Sequence, residues 1–181
     1  MMDKIDDTVQ GAVYRLPLKM ESGTMRAATN PIDGLIYYSG LTGWQAGATQ
    51  EGSIQRLRHT GNKGIYLREA KARKNRLELT FTEPVNADSI KKDSFVASAW
   101  NYRWSKGYGS PTFKVSDPEI RGDDKLSIES IDLSKDGKQL IVQIPDLSPC
   151  HNLKLDFEVD GKNGASLAGP VYFTIHKLPE S

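Results

Sequence analysis

The sequence holds a single cysteine, Cys150, so no disulfide can close within the chain. No run approaches the roughly 18 consecutive apolar residues of a membrane-spanning helix. Charge of either sign is not in excess: 24 Lys and Arg against 23 Asp and Glu leave a net +1. No global field therefore selects nucleic acid or an anionic membrane as a partner. The opening Met1-Met2-Asp3-Lys4-Ile5-Asp6-Asp7 is acidic and lacks the apolar centre of a secretory signal. The chain is thus expected to be cytoplasmic or cut from a longer precursor. Histidine is scarce as well. His59, His151 and His176 lie far apart without HxH or HxxxH spacing, whereas a zinc site needs three or four converging ligands.

Sequence chemistry offers no catalytic set. Pro149-Cys150-His151 lacks the second cysteine of a haem attachment motif. Cys150 and His151 are also adjacent, and adjacent strand residues point to opposite faces, so they do not read as a nucleophile and its base. A buried thiol is the expected role of Cys150. Asp117, Glu119, Asp123 and Asp124 form an oxygen-rich loop around Arg121, but the spacing of an EF-hand is absent and a solvated loop is expected. Residues 56–76 carry Arg56, Arg58, Lys63, Arg68, Lys71, Arg73, Lys74 and Arg76 against Glu69 alone. Such a run can bind phosphate or an anionic polysaccharide. It spans two strands and a turn, so it reads first as charge that keeps strand edges from pairing with other chains.

What is present is β-pattern. Residues 1–10 read as a frayed arm. Four short strands follow, near residues 11–16, 25–28, 35–39 and 52–59, with the Asp33-Gly34 reversal between the second and third. They make one antiparallel sheet within residues 1–62. Its apolar candidates, Leu35, Tyr37, Ile54 and Leu57, need cover from the rest of the chain or from a second copy. Residues 61–64 read as a linker.

Alternation then restarts at Ile65. Leu77, Leu79 and Phe81 share one face, and Pro84 ends that strand. Asn86 or Asp88 caps a single helical turn near residues 87–91. Strands follow from Phe95, at residues 127–133, 139–144 and 152–159, and at 171–175, separated by the Asp136-Gly137 and Asp160-Gly161 turns. Residues 63–181 are therefore expected to form an immunoglobulin-like β-sandwich without the Cys-Trp-Cys pattern. The fold class is all-β: a small antiparallel, blade-like sheet followed by the sandwich.

The densest concentration of unusual side chains is Trp100-Asn101-Tyr102-Arg103-Trp104-Ser105-Lys106-Gly107-Tyr108-Gly109-Ser110. Trp and Tyr combine a broad apolar face with a donor, which suits a surface dry on one side and wet on the other. Sugars present flat apolar faces and hydroxyls, so Trp100, Asn101, Arg103, Trp104 and Tyr108 are candidate carbohydrate ligands. In an extended strand Trp104 and Tyr108 share a face. The opposing expectation is that Trp100 and Tyr102 pack inward and the chain is a structural spacer.

Two stretches carry a family resemblance. Gly34-Leu35-Ile36-Tyr37-Tyr38-Ser39-Gly40-Leu41-Thr42-Gly43-Trp44-Gln45, followed by residues 52–61, resembles the last propeller blade of glucose/sorbosone dehydrogenase-like secreted bacterial polypeptides. Leu77-Glu78-Leu79-Thr80-Phe81-Thr82-Glu83-Pro84-Val85 and the Leu133-Ser134-Lys135-Asp136-Gly137-Lys138 turn are similar to bacterial immunoglobulin-like domains. A closed propeller needs several blades. The quinone-binding and catalytic-histidine positions of those enzymes lie on other blades, and no residue here matches them. The resemblance implies the non-catalytic C-terminal end of a longer exported chain, secreted or periplasmic, without a cofactor of its own.

Overall fold

A computed structural model describes all residues except 44–47, 62 and 181. Among the described residues the chain forms β1 (Met2–Ile5), β2 (Thr8–Tyr14), β3 (Gly23–Thr29), β4 (Ile36–Leu41), β5 (Gly52–Leu57), β6 (Leu67–Arg73) and β7 (Arg76–Phe81). Then come β8 (Val96–Trp100), β9 (Asp124–Leu126), β10 (Ile131–Leu133), β11 (Gln139–Gln143), β12 (Cys150–Asp160) and β13 (Ser166–Ile175). Among the described residues helix is confined to two short 3₁₀ turns, Ala87–Ser89 and Lys92–Ser94. Asn86 caps the first, its side chain accepting from the Asp88 N–H. The chain is all-β and its sheets are antiparallel, as the alternation and turn signals predict.

Two compact units divide the chain. One joins residues 1–15 to 63–181; the other is Leu16–Asn62. The larger unit holds a six-stranded sheet, β1-β2-β13-β12-β8-β9, and a four-stranded sheet, β10-β11-β7-β6. Alternation builds its core directly. Leu153, Leu155, Phe157 and Val159 of β12 and Val171, Phe173 and Ile175 of β13 are buried. They join Leu77, Leu79 and Phe81 of β7 and Leu140 and Val142 of β11 in one cluster. The Phe157 ring meets Phe81 from the other sheet edge-on at 6.2 Å and stacks with Phe95 at 6.3 Å.

The N-terminal segment departs from expectation. Residues 1–10 are not a frayed arm, and residues 11–14 do not belong to the small sheet. They form the hairpin β1–β2, and β2 pairs with β13 from Tyr14↔Val171 to Gly11↔Thr174. Asp6, at φ 52, makes the tight reversal between them. The cause is long-range polar pairing. The Gln10 side chain accepts from the N–H groups of His176 and Lys177, both at 2.9 Å, and donates to the Lys177 carbonyl at 3.1 Å. Asp3, 7% exposed, meets the Arg73 guanidinium of β6 at 2.7 Å, and the Arg73 side chain is 11% exposed.

The smaller unit is the three-stranded sheet β3-β4-β5. Gly40 sits so close to β3 that a Cβ there would lie 1.8 Å from the Gly23 carbonyl oxygen. Gly34, at φ +69, closes the Asp33-Gly34 reversal. Register places Tyr37 opposite Arg56 and Ser39 opposite Ile54, while Leu57 faces Ile36. Tyr37 and Ile54 therefore lie on one face and Leu57 on the other, so the predicted single apolar face does not exist. Among the described residues of this unit only Ser22 is buried, its hydroxyl 2.5 Å from that of Ser53. Trp44 and Gln45 of the blade-like motif, and Asn62 of the linker, fall outside the described residues.

Among the described residues, the apolar core cluster is drawn from the larger unit. Replacing residues 16–62 by a flexible Gly/Ser bridge is expected to leave that unit folded, with a single cooperative urea transition. A chain that no longer unfolds cooperatively would contradict this. Asp3→Ala in the full chain strands a nearly buried guanidinium and should cost about 3 kcal/mol in the same denaturation.

Candidate functional site

The aromatic stretch begins where a backbone ladder ends. β8 pairs with β12 from Val96↔Asp156 to Trp100↔Asn152, and β12 has a register shift between Cys150 and Leu153. Beyond Trp100 two side chains replace the ladder. The Asn101 Oδ1 accepts from the His151 N–H at 2.9 Å, and the Tyr102 N–H donates to His151 Nδ1 at 2.9 Å. The rings of Tyr102 and His151 stack at 6.3 Å with 16° between their planes. Asn101 also exchanges both backbone hydrogen bonds with Phe113, at 2.7 and 2.9 Å.

Residues 102–110 then run as an irregular loop, not as a strand. The extended-strand reason for pairing Trp104 with Tyr108 does not hold. The loop is nevertheless tied at several points. The Arg103 N–H donates to the Ser110 Oγ at 3.0 Å, and the Ser105 hydroxyl donates to the Gly109 carbonyl at 3.4 Å. The Arg103 guanidinium lies 4.4 Å above the Phe113 ring centroid and binds the Pro118 carbonyl and the Glu119 carboxylate. Phe113 is itself buried.

These contacts sort the five predicted ligands. Trp104 and Tyr108 are fully open, at 102% and 106% of the reference exposure. Trp100 is 9% exposed; its side chain packs inward and offers no open face to a ligand. Asn101 holds β12 to the loop. Arg103 is committed to Phe113 and Glu119, so it positions the loop instead of standing free beside the two rings. Sequence reasoning missed His151 as an anchor. The signal available was the proximity of His151 to the start of a long alternating strand, but its partner lies 49 residues away.

The charged stretches are paired in part. Glu119 takes Arg103, and the Asp117 carboxylate accepts from the Glu119 N–H at 3.0 Å. Burial opposes ionisation of Asp124. Hydrogen bonds from the Ser116 N–H at 2.7 Å and hydroxyl at 2.8 Å outweigh it and hold the carboxyl below its usual range. Among the described residues no three His, Cys, Asp or Glu side chains converge as a metal site. The basic run splits likewise: Lys71 pairs with Glu69, Arg73 with Asp3, Lys74 with Glu180 and Arg76 with Glu78. No helix among the described residues is long and apolar enough to cross a membrane, which says nothing of strands.

Comparison with protein-family models and with curated proteins gives no match. The site therefore rests on its own geometry.

Cys150, next to the His151 anchor, is buried, and burial pushes its thiol up to about 12. The thiolate is the reactive form. The native chain is expected to resist a thiol-specific disulfide reagent near neutral pH and to react fully once unfolded in urea. Rapid labelling of the native chain would show an open thiol.

Proposed function

We propose that this chain is a non-catalytic binding module that engages carbohydrate through the Trp104 and Tyr108 ring faces. The observation that carries this reading is the complete exposure of two large aromatic side chains on one short, tethered loop. A Trp and a Tyr left in water forgo the burial that such side chains ordinarily gain, about 1.5–3 kcal/mol for a large apolar group. Stacking on the apolar face of a sugar ring recovers it. The anchors at Asn101, Tyr102 and Arg103 restrict the loop before any ligand arrives, which lowers the ordering cost of binding. Lys106, between the two rings in sequence, supplies a donor for hydroxyls.

The wider reading rests on the sequence resemblance. It makes the larger unit an immunoglobulin-like sandwich, the smaller unit a blade-like segment, and the whole an accessory end of an exported sugar-dehydrogenase-like polypeptide. The remainder of that longer chain would then be a partner.

A glycan array probed with wild type and Trp104→Ala tests the binding reading. Wild type should be retained on one class of glycan, and the variant should lose about 1–3 kcal/mol of that affinity with an unchanged unfolding midpoint. Absence of retention by wild type would leave the chain as a spacer between neighbouring domains. Equal retention by the variant would place the binding surface elsewhere.

A further inference from the structure

We propose that His151 is the positioning residue of the aromatic loop and that its protonation state decides whether residues 102–110 are held. The observation is one hydrogen bond with a defined direction. The Tyr102 backbone N–H donates to His151 Nδ1 at 2.9 Å. A ring nitrogen can accept only while it carries a lone pair, so the contact requires a neutral imidazole with its proton on Nε2. A second proton would go to Nδ1. There it removes the acceptor and sets an N–H against an N–H.

The position gives this bond leverage. The β8–β12 ladder ends at Trp100↔Asn152, and the Asn101 and His151 side chains carry the connection one step further. Loss of the acceptor leaves the Asn101–His151 bond and the Asn101–Phe113 bridge intact, because neither uses the ring nitrogens. The release therefore starts at Tyr102 and not in the sheet. The Arg103–Glu119 contact and the Ser110 hydroxyl remain as secondary ties.

The neighbouring elements carry a phenol, an amide, a buried thiol and paired charges. The Tyr102 phenol stacks on it, and the Asn101 amide is uncharged. On β12, Cys150 is buried with its thiol pushed up to about 12, and Lys154 and Asp156 pair with each other at 2.8 Å. On the loop side Arg103 binds Glu119, and Asp124 is held by Ser116. On β8 the register pair next to His151 is Trp100 opposite Asn152. Histidine is the side chain whose ordinary charge change falls between pH 5 and 8. The sign follows from the direction of the bond. The held loop excludes a proton that the released loop can bind, so holding is complete at the alkaline end and is lost as pH falls. The consequence for ligand retention rests on the carbohydrate reading; the latch itself does not.

The test is nitrogen NMR of the full chain between about pH 5 and pH 8, for wild type, His151→Asn and His151→Phe. The asparagine carboxamide oxygen can accept near the place of Nδ1 and does not titrate. Phenylalanine keeps the stack and has no acceptor. In wild type, the Tyr102 amide protection, corrected for intrinsic exchange, should fall about fivefold as the imidazole gains its proton, the worth of one net hydrogen bond. Order in residues 102–110 should fall with it. His151→Asn should stay protected throughout and His151→Phe should be unprotected throughout, while the core Leu153 and Leu155 methyl signals stay unchanged in all three. A wild-type loop indifferent to the His151 titration overturns the latch, as does a pH response that survives in His151→Asn. No glycan is present in this experiment, so an absence of sugar binding leaves its outcome untouched. Conversely, a working latch in a chain that retains no glycan would sink the carbohydrate reading alone.

Discussion

The central pair β12–β13 is the constraint on which the larger unit depends. It runs in register from Leu153↔Phe173 to Asp160↔Ser166 and supplies buried side chains along its whole inner face. Everything else in the six-stranded sheet is attached to one side or the other of that pair. β2 joins through β13, which brings the N-terminal hairpin into the sheet. β8 joins through β12, which fixes where the aromatic loop starts. The ladder between β2 and β13 stops at Val171, next to Pro170, which has no N–H to offer a further rung. The chain leaves the larger unit after Arg15 and re-enters it at Lys63.

Much of this was legible because the buried faces alternate. Leu77, Leu79, Phe81, Leu153, Leu155, Phe157 and Val159 announce their strands by period alone, and Asp33-Gly34 and Asp136-Gly137 announce their turns. The Ser127–Leu133 alternation was only half right: the ladder keeps Ile131–Leu133, and β9 ends at Leu126. The N-terminal hairpin was illegible for a physical reason. Its inward positions include Asp3 and Gln10, both buried and both polar. Their partners, Arg73, His176 and Lys177, are 70 to 167 residues away. A polar residue inside a strand looks like solvent-facing sequence until the partner that satisfies it is known. Trp100 was legible two ways, as a surface ligand beside polar neighbours or as a side chain packed inward, and the structure buries it.

Charge behaves in the same way. The run between Arg56 and Arg76 is conspicuous in one dimension and partly paired in three: Lys71 and Arg76 meet acids of their own strands, Arg73 meets Asp3 of β1, and Lys74 meets Glu180 of the C-terminal tail. These contacts differ in weight. Lys74–Glu180 and Lys71–Glu69 are exposed pairs of the kind worth about 0–1 kcal/mol. Asp3–Arg73 is nearly buried, so either charge left alone would be costly even though the intact pair contributes little net stability. Its value is positional: it fastens β1 to β6 and so draws the edges of the two sheets together.

The candidate site inherits its character from the place where regular structure stops. A strand continuing through residue 108 would have paired its backbone and turned alternate side chains inward. Instead the β8–β12 ladder ends at Trp100↔Asn152, and Asn101 and His151 finish the connection with side chains. Past that junction the backbone is irregular but not free. Phe113 is buried beneath the Arg103 guanidinium, which ties the loop root to the packed body of the unit. The arrangement separates two tasks that the sequence runs together. Asn101, Tyr102 and Arg103 position, while Trp104 and Tyr108 are left with their faces in water. Two rings so exposed gain nothing for the fold, since neither shields an apolar neighbour. On the carbohydrate reading proposed above, that free energy is recovered against a sugar face, and the ties at the loop root keep that face from having to order the loop as well.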